Sequence, residues 1–175
     1  MRLNSGSYSV RTKVIVSGGV IEVYDYEKPV FKGYKSSGGR DKEADDEGKE
    51  KNRKDSLRRA RQEVRRIVNA NVGAYGEHCT PKFLTLTFGD NVTDLDKAHY
   101  EFKKFIQRMN YLVFGAKSGN LRYTAVVQFQ ERGAVHYHVI IYNIPFIKWH
   151  EIERTWRHGY VWINKIDNVD NVGAY

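Results

Sequence analysis

Two adjacent strand patterns constrain the fold of this chain most strongly. They cover about residues 122–130 and 134–143, and only Glu131-Arg132-Gly133 separates them. Both segments are rich in β-branched and aromatic residues, which are favoured in strands. A connection this short joins antiparallel neighbours, because parallel strands need a crossover of about a dozen residues or more. The sequence therefore predicts a β-hairpin and, with it, an antiparallel sheet.

Strand and helix patterns alternate around this hairpin from residue 81 onward. The other segments are a strand at 83–88, a helix at about 94–112, a short helix at 147–157 and a last strand at 160–166. The order strand, helix, strand, strand, helix, strand is the split βαβ arrangement of ferredoxin-like and RRM-like domains. We therefore predict an α+β fold around one antiparallel sheet. Asn91 or Thr93 is the expected N-cap of the longer helix.

The first 80 residues are predicted to form an extension of this core. β-Branched residues on both sides of Gly18-Gly19 indicate a second hairpin. Residues 36–50 are almost all glycine, serine or charged, which indicates a solvated linker. A basic amphipathic helix is predicted at 51–69. We therefore divide the chain into an extension, 1–80, and a core, 81–175.

Arginines fill the polar side of the predicted basic helix. They form either a solvated face or a surface that holds DNA phosphates, and the two interpretations are compatible. The chain has 29 Lys+Arg against 21 Asp+Glu and a net charge of +8, which favours an anionic partner such as nucleic acid. The candidate DNA-binding residues are Arg58, Arg59, Arg61, Arg65 and Arg66 of the helix and Arg132 of the hairpin loop.

Cysteine usage and apolar content indicate the compartment. Cys79 is the only cysteine, so it can form no internal disulfide, and a reducing cytoplasm is expected. We interpret Cys79 as a structural residue. The N-terminus lacks the apolar run of a signal peptide, and no apolar stretch reaches the roughly eighteen residues that could cross a bilayer. We expect a cytoplasmic protein with no membrane partner.

Two histidines in the second strand of the central hairpin are candidate metal ligands. Side chains two residues apart in a strand point to the same face, so His136 and His138 project together. Two adjacent imidazoles can chelate a divalent ion. A His-x-His pair alone is a weak signal, because such pairs are more often polar residues on a wet sheet face.

The register of the hairpin decides which residue joins the two histidines. If Glu131-Arg132-Gly133 is a three-residue loop with Gly133 in the left-handed conformation, Gln128 lies opposite His136 and shares its face. If the loop has only two residues, Glu131 takes the histidine side and Gln128 faces away. We favour Gln128, because glycine at the third loop position fits the bulged turn. A ligand set with few carboxylates binds a hard ion weakly, so we expect a phosphate to complete the metal shell.

Three segments together resemble the HUH endonucleases, the superfamily of rolling-circle replication initiators, relaxases and certain transposases. Phe83-Leu-Thr-Leu-Thr-Phe88 resembles the first motif of that superfamily, and Gln128-Phe-Gln-Glu-Arg-Gly-Ala-Val-His-Tyr-His138 resembles its histidine motif. Asn171-Val-Gly-Ala-Tyr175 resembles the start of its tyrosine motif. The resemblance covers about residues 82–175 and is greatest to the initiators of plasmids and phages.

The resemblance implies a site-specific endonuclease and ligase for single-stranded DNA. His136, His138 and the third ligand would hold Mg²⁺ or Mn²⁺, and Tyr175 would attack the scissile phosphate. The products would be a 5′-phosphotyrosine and a free 3′-hydroxyl that primes synthesis. The implied partners are single-stranded or hairpin DNA at a replication origin and a host helicase and polymerase.

The chain departs from the family pattern at two positions. Many relatives have glutamate where this chain has Gln128, and the tyrosine motif usually continues beyond Tyr175, so we expect a core truncated at its C-terminus. Tyr75 is a rival nucleophile, because residues 71–75 repeat the terminal pentapeptide, but it precedes the first sheet strand. We interpret the strand tyrosines, including Tyr142 and Tyr160, as core or stacking residues.

Two other functions are compatible with the pattern. A noncatalytic RRM-like nucleic-acid-binding domain would carry aromatic residues on an open sheet face and would bind no metal at the histidines. A relaxase or a transposase would use the same histidines and tyrosine as a replication initiator.

Overall fold

The structure, a computed structural model, describes residues 8–33, 45–116 and 119–166. It contains two antiparallel sheets, one of two strands and one of four. The elements in chain order are β1 (Tyr8–Ser17), β2 (Val20–Lys32), α1 (Asp46–Asn71), β3 (Lys82–Thr87), α2 (Leu95–Phe114), β4 (Tyr123–Phe129), β5 (Val135–Ile141), α3 (Trp149–Trp156) and β6 (Val161–Lys165).

The four-stranded sheet has the order β4-β5-β3-β6, and all of its neighbouring strands are antiparallel. The first and third strands of the core are therefore central and the second and fourth are edges, which is the ferredoxin-like arrangement. The predicted α+β fold and the split βαβ order are confirmed. The central position of β5 gives its side chains neighbours on both sides.

Helices α2 and α3 cover one face of this sheet and form the main core. Alternate residues of β5, including Tyr137 and Val139, point into this core, because side chains two apart share a face. From the helices, Phe105 and Trp156 pack against each other edge-to-face with ring centroids 5.7 Å apart. The intervening residues of β5, which include both histidines, therefore lie on the opposite face.

Helix α1 packs on that opposite face and covers only one end of it. Val68 of α1 is fully buried against Ile140, Tyr142 and Ile166, and Phe83 of β3 packs at the edge of this cluster. The sheet residues farther from α1 are left uncovered by it. We call this uncovered part the open face; it is formed by Thr85 and Thr87 of β3, Val126 and Gln128 of β4, His136 and His138 of β5, and Tyr160 and Trp162 at β6.

Two predicted helix starts are wrong. Helix α1 begins at Asp46, so residues 46–50 belong to the helix and not to the linker predicted at 36–50. Asp45 is the N-cap, and its carboxylate accepts a hydrogen bond from the Gly48 amide at 2.8 Å. Asp94, and neither Asn91 nor Thr93, caps α2 by accepting from the amides of Asp96 and Lys97. Apolar periodicity could not locate either start, because the first turn of each helix is polar.

The β1–β2 hairpin is attached to α1 by a cluster of charged side chains. The carboxylate of Glu22 accepts hydrogen bonds from Arg65 Nη2 and Arg66 Nε, both at 2.6 Å. Arg66 also donates to the Tyr24 hydroxyl at 2.9 Å. These contacts involve charged partners with only 12% of the Glu22 side chain exposed, so they are stronger than an ordinary surface ion pair.

Replacing Glu22 with glutamine is expected to destabilise the protein by about 1 kcal/mol at pH 7, a modest value because both arginines remain partly solvated. The hydrogen bond from Arg66 is the main cause that lowers the pKa of Glu22 below its ordinary value of 4.5. A lowered pKa stabilises the fold above that ordinary value and ceases to do so as the pH falls through the folded-state pKa. Thermal unfolding at pH 7 and pH 3 should show a difference between wild type and Glu22→Gln that shrinks in acid.

Glu27→Gln is the matched control for this experiment. Glu27 is an exposed glutamate on the same strand, and it forms no ion pair with the described residues. An equal loss of stability in the two variants would show that the Glu22 contacts do not hold the hairpin.

No helix within the described ranges is long and apolar enough to span a membrane. The predicted boundary between extension and core falls in the turn between α1 and β3, but α1 packs directly on the core sheet.

Candidate functional site

The loop between β4 and β5 sets the register of the central hairpin. Gln130 N donates to Ala134 O at 2.8 Å, and Gly133 N donates to Gln130 O at the same distance. Gly133 has φ +79°, the left-handed conformation that favours glycine. These contacts define a three-residue loop, so Gln128 pairs with His136. This is the register that the sequence analysis favoured.

Three polar side chains converge on the open face. The Gln128 Oε1 lies 3.2 Å from His136 Nε2 and 2.8 Å from His138 Nε2. The two imidazole centroids are 4.7 Å apart. We call these three residues the histidine cluster. The cluster presents two nitrogen donors and one oxygen donor to a common point, and such a set fits a divalent ion with open positions.

The orientation of His138 is set by β3. The Thr85 Oγ1 lies 3.1 Å from His138 Nδ1, because the two residues are register partners. A hydroxyl can donate or accept, so Thr85 can support either imidazole tautomer. A contact to the far nitrogen of the ring holds Nε2 turned toward the cluster, as in metal-binding histidines.

The protonation state of the cluster suits metal binding. Burial lowers the pKa of His136, and burial together with the neighbouring His136 lowers the pKa of His138. Both imidazoles are therefore neutral at pH 7, and a neutral imidazole has a lone pair that can bind an ion. Within the described residues, no group of three His, Cys, Asp or Glu side chains could hold a metal, so an ion at this cluster would rely on the amide of Gln128.

The hairpin loop keeps the other two candidates of this segment away from the cluster. Glu131 lies in the loop itself and is exposed, so the alternative in which it takes the histidine side is wrong. Arg132 is also exposed; it donates to Gln130 Oε1 at 3.0 Å and to the Phe88 carbonyl at 3.3 Å. These contacts place Arg132 at the end of the sheet, beside the open face.

The candidate arginines of α1 fall into two groups. Arg65 and Arg66 bind Glu22 of the hairpin, so their charge is already partly neutralised. Arg58 forms an exposed pair with Asp55 at 3.1 Å, whereas Arg59 and Arg61 are exposed. The sequence could not separate the two groups, because Glu22 is more than forty residues from its partners.

Of the two candidate tyrosines, the structure describes only one. Tyr175 lies outside the described residues. Tyr75 donates a hydrogen bond to Asn71 Oδ1 at 2.8 Å and stacks on Tyr142 at 6.5 Å between centroids. Tyr142 is four residues beyond His138 along the chain, or roughly 13 Å in strand geometry. Tyr75 is therefore remote from the histidine cluster.

Two aromatic residues of the open face were not singled out by sequence reasoning. Tyr160 and Trp162 are 58% and 54% exposed, so the interpretation of Tyr160 as a stacking residue remains open whereas a core position is wrong. Their alternation in the last strand with buried Val161 was the available signal. Burial could not be inferred for them, because aromatic residues are usual on both faces of a strand.

Comparisons with known proteins give one match. No curated protein and no solved structure is significantly similar to the chain. Residues 81–175 match a family model that describes a replication-associated protein of the ORF2 type. The matched range covers more than half of the chain and includes the whole four-stranded sheet with the histidine cluster. The chain therefore belongs to this family of replication-associated proteins.

Proposed function

We propose that this protein is an HUH endonuclease that nicks and rejoins single-stranded DNA at a replication origin and so initiates rolling-circle replication. The observation that carries the proposal is the convergence of Gln128 Oε1 with the Nε2 atoms of His136 and His138. Membership of a replication-associated family supports DNA as the substrate.

The histidine cluster would hold a divalent ion, Mg²⁺ or Mn²⁺, which would polarise the scissile phosphate when bound. Thr85 keeps the His138 ring turned toward the cluster. The two imidazoles and the amide carry no negative charge at pH 7, so they do not repel the phosphate. A neutral site of this kind binds the ion weakly without DNA, and the phosphate is expected to complete it.

The nucleophile in this proposal is the phenol of Tyr175. Its oxygen, after losing the proton, forms a bond to phosphorus as the bond from phosphorus to the 3′ oxygen breaks. The 5′ end stays attached to the tyrosine, and the leaving oxygen takes up a proton to become the 3′-hydroxyl that primes synthesis. Attack by a later 3′-hydroxyl on the phosphotyrosine reverses these bond changes and rejoins the strand.

A noncatalytic RRM-like binding domain is the second candidate function. The exposed Tyr160 and Trp162 on the open face favour it, because RNA-binding sheets of this topology stack bases on aromatic residues. It predicts single-strand binding without metal at the histidine cluster. A relaxase or a transposase would share the cluster, and the match to replication-associated proteins favours initiation over both.

The direct test is formation of a covalent adduct. The protein is incubated with Mn²⁺ and with single-stranded oligonucleotides, ideally from its own origin, and adducts are resolved by denaturing electrophoresis. The wild type is expected to form an adduct, and Tyr175→Phe is expected to lose it, because phenylalanine has no nucleophilic oxygen.

Tyr75→Phe is the matched control, since it alters the same pentapeptide at the remote position and should leave the adduct intact. An adduct that survives Tyr175→Phe would refute the assignment of the nucleophile. Metal-independent binding with no adduct on origin DNA would favour the noncatalytic domain.

A further inference from the structure

The edge strand β6 presents two large aromatic rings to solvent. Tyr160 and Trp162 lie two positions apart, so both project from the same face. Their ring centroids are 6.4 Å apart and their planes are inclined by 43°. Burying a large aromatic ring stabilises a protein by about 1.5–3 kcal/mol, so two exposed neighbours indicate a surface that a ligand covers.

These rings lie in line with the histidine cluster. Trp162 is the register partner of Thr85, and Thr85 is the register partner of His138. Neighbouring strands are separated by about 4.8 Å, so β6 is roughly 10 Å from β5 across the sheet. A ligand on the two rings therefore extends toward the histidine cluster over the small side chains of Thr85 and Thr87.

The spacing of the rings selects single-stranded nucleic acid over a duplex. Successive bases in a B-form strand rise by about 3.4 Å, which is close to half the distance between the two centroids. Each ring can therefore stack on a different base only if the strand is stretched and its bases are separated. Stacking tolerates any base, because every base has a π-face.

We propose that Tyr160 and Trp162 form a base-stacking platform for single-stranded DNA and that the platform decides which phosphate reaches the histidine cluster. This inference rests on the proposed function for its substrate. The distance from platform to cluster corresponds to about one or two nucleotides of a strand stretched to the ring spacing. The platform thus acts as a ruler, and Tyr160 and Trp162 are positioning residues that do not touch the reacting atoms.

Binding without metal tests the platform separately from catalysis. Fluorescence anisotropy with a labelled single-stranded oligonucleotide in EDTA is measured for wild type, Tyr160→Ala and Trp162→Ala. Each substitution is expected to weaken binding about tenfold, since stacking on one aromatic side chain contributes to the affinity for one base. Trp162→Phe should restore most of the affinity, because phenylalanine keeps a ring face.

Trp149→Ala is the matched control. Trp149 is 60% exposed but begins α3 on the helical side of the sheet, so its loss should leave binding unchanged. Circular dichroism and thermal melts verify that all variants fold. Equal weakening by Trp149→Ala, or unchanged binding in both β6 variants, would overturn the proposal.

Mapping of the cut position gives the second readout. Nicked products from Trp162→Ala are expected to spread over neighbouring phosphates, whereas wild type cuts at one. Unchanged cutting at one phosphate would overturn the ruler. If no variant cuts but binding still depends on the two rings, the nuclease assignment fails and the stacking platform stands. A concentration-dependent dimer abolished by Trp162→Ala would instead show that a second copy covers the rings, which refutes the platform.

Discussion

His136→Ala is expected to reduce metal-dependent nicking by a factor on the order of 100 or more. Lewis-acid stabilisation by a bound ion contributes several kcal/mol, and about 1.4 kcal/mol corresponds to tenfold in rate. Removal of one imidazole leaves only His138 and Gln128 at the convergence point. The rate is measured on a single-stranded oligonucleotide over a series of Mn²⁺ concentrations, and Mn²⁺ binding in the presence of DNA is measured separately.

The fold should survive this substitution. His136 is half-buried on a sheet face that α1 leaves open, and its side chain contributes little to the core. Melting temperature and metal-free DNA binding are therefore expected to stay close to wild type. His150→Ala, at an exposed histidine of α3, is the matched control and should nick normally. Wild-type nicking by His136→Ala would remove the histidine cluster from the mechanism.

Gln128→Glu tests the third position of the cluster in the same assay. A carboxylate adds a negative charge beside the two imidazoles, and hard divalent ions prefer charged oxygen ligands. Tighter Mn²⁺ binding is therefore expected, with less dependence on DNA. No change in metal affinity would show that the ion, if bound, does not contact residue 128.

Gly159→Ala is expected to cause the largest loss of stability, about 3–5 kcal/mol. Gly159 has φ +146°, and a Cβ there would lie 2.4 Å from Gly89 N and 2.5 Å from Thr87 O. All of the nearest atoms are backbone, so no flexible side chain can move aside. Backbone strain costs about 1–3 kcal/mol and forced overpacking costs a similar amount.

Chemical denaturation measures this loss, and Gly76→Ala is its matched control. Gly76 also has a positive φ, +87°, but a Cβ there would meet nothing within 4 Å. The control is therefore expected to lose only the cost of the strained conformation, about 1 kcal/mol. The difference between the two variants isolates the close approach of two backbones. Equal losses would show that no such contact exists.

Gly159 matters to the site because it lies where the open face ends. Thr87 O accepts a hydrogen bond there from the Trp156 indole nitrogen at 3.0 Å, and Gly89 N donates to His158 O at 2.7 Å. These contacts hold the end of β3 against the start of β6. Displacement of this junction would move Tyr160 relative to the histidine cluster, so partial loss of nicking should accompany the loss of stability.

Local patterns determined much of the core. Period-two alternation placed His136 and His138 on one face, and the glycine of the three-residue loop brought Gln128 opposite His136. The order of strands and helices predicted the ferredoxin-like topology. These features depend on neighbouring residues and on turn geometry, so they are readable from a short window of sequence.

Only the tertiary structure decided which part of the histidine face stays open. The contacts of α1 with Ile140 and Tyr142, the ion pairs of Arg65 and Arg66 with Glu22, and the alignment of Trp162 with His138 through Thr85 all join distant segments. Their outcome depends on how whole elements pack, and side-chain periodicity within one element does not report it. The sequence by itself determined the chemical groups and the face that carries them; long-range packing decided what surrounds that face, because burial is a property of elements in contact.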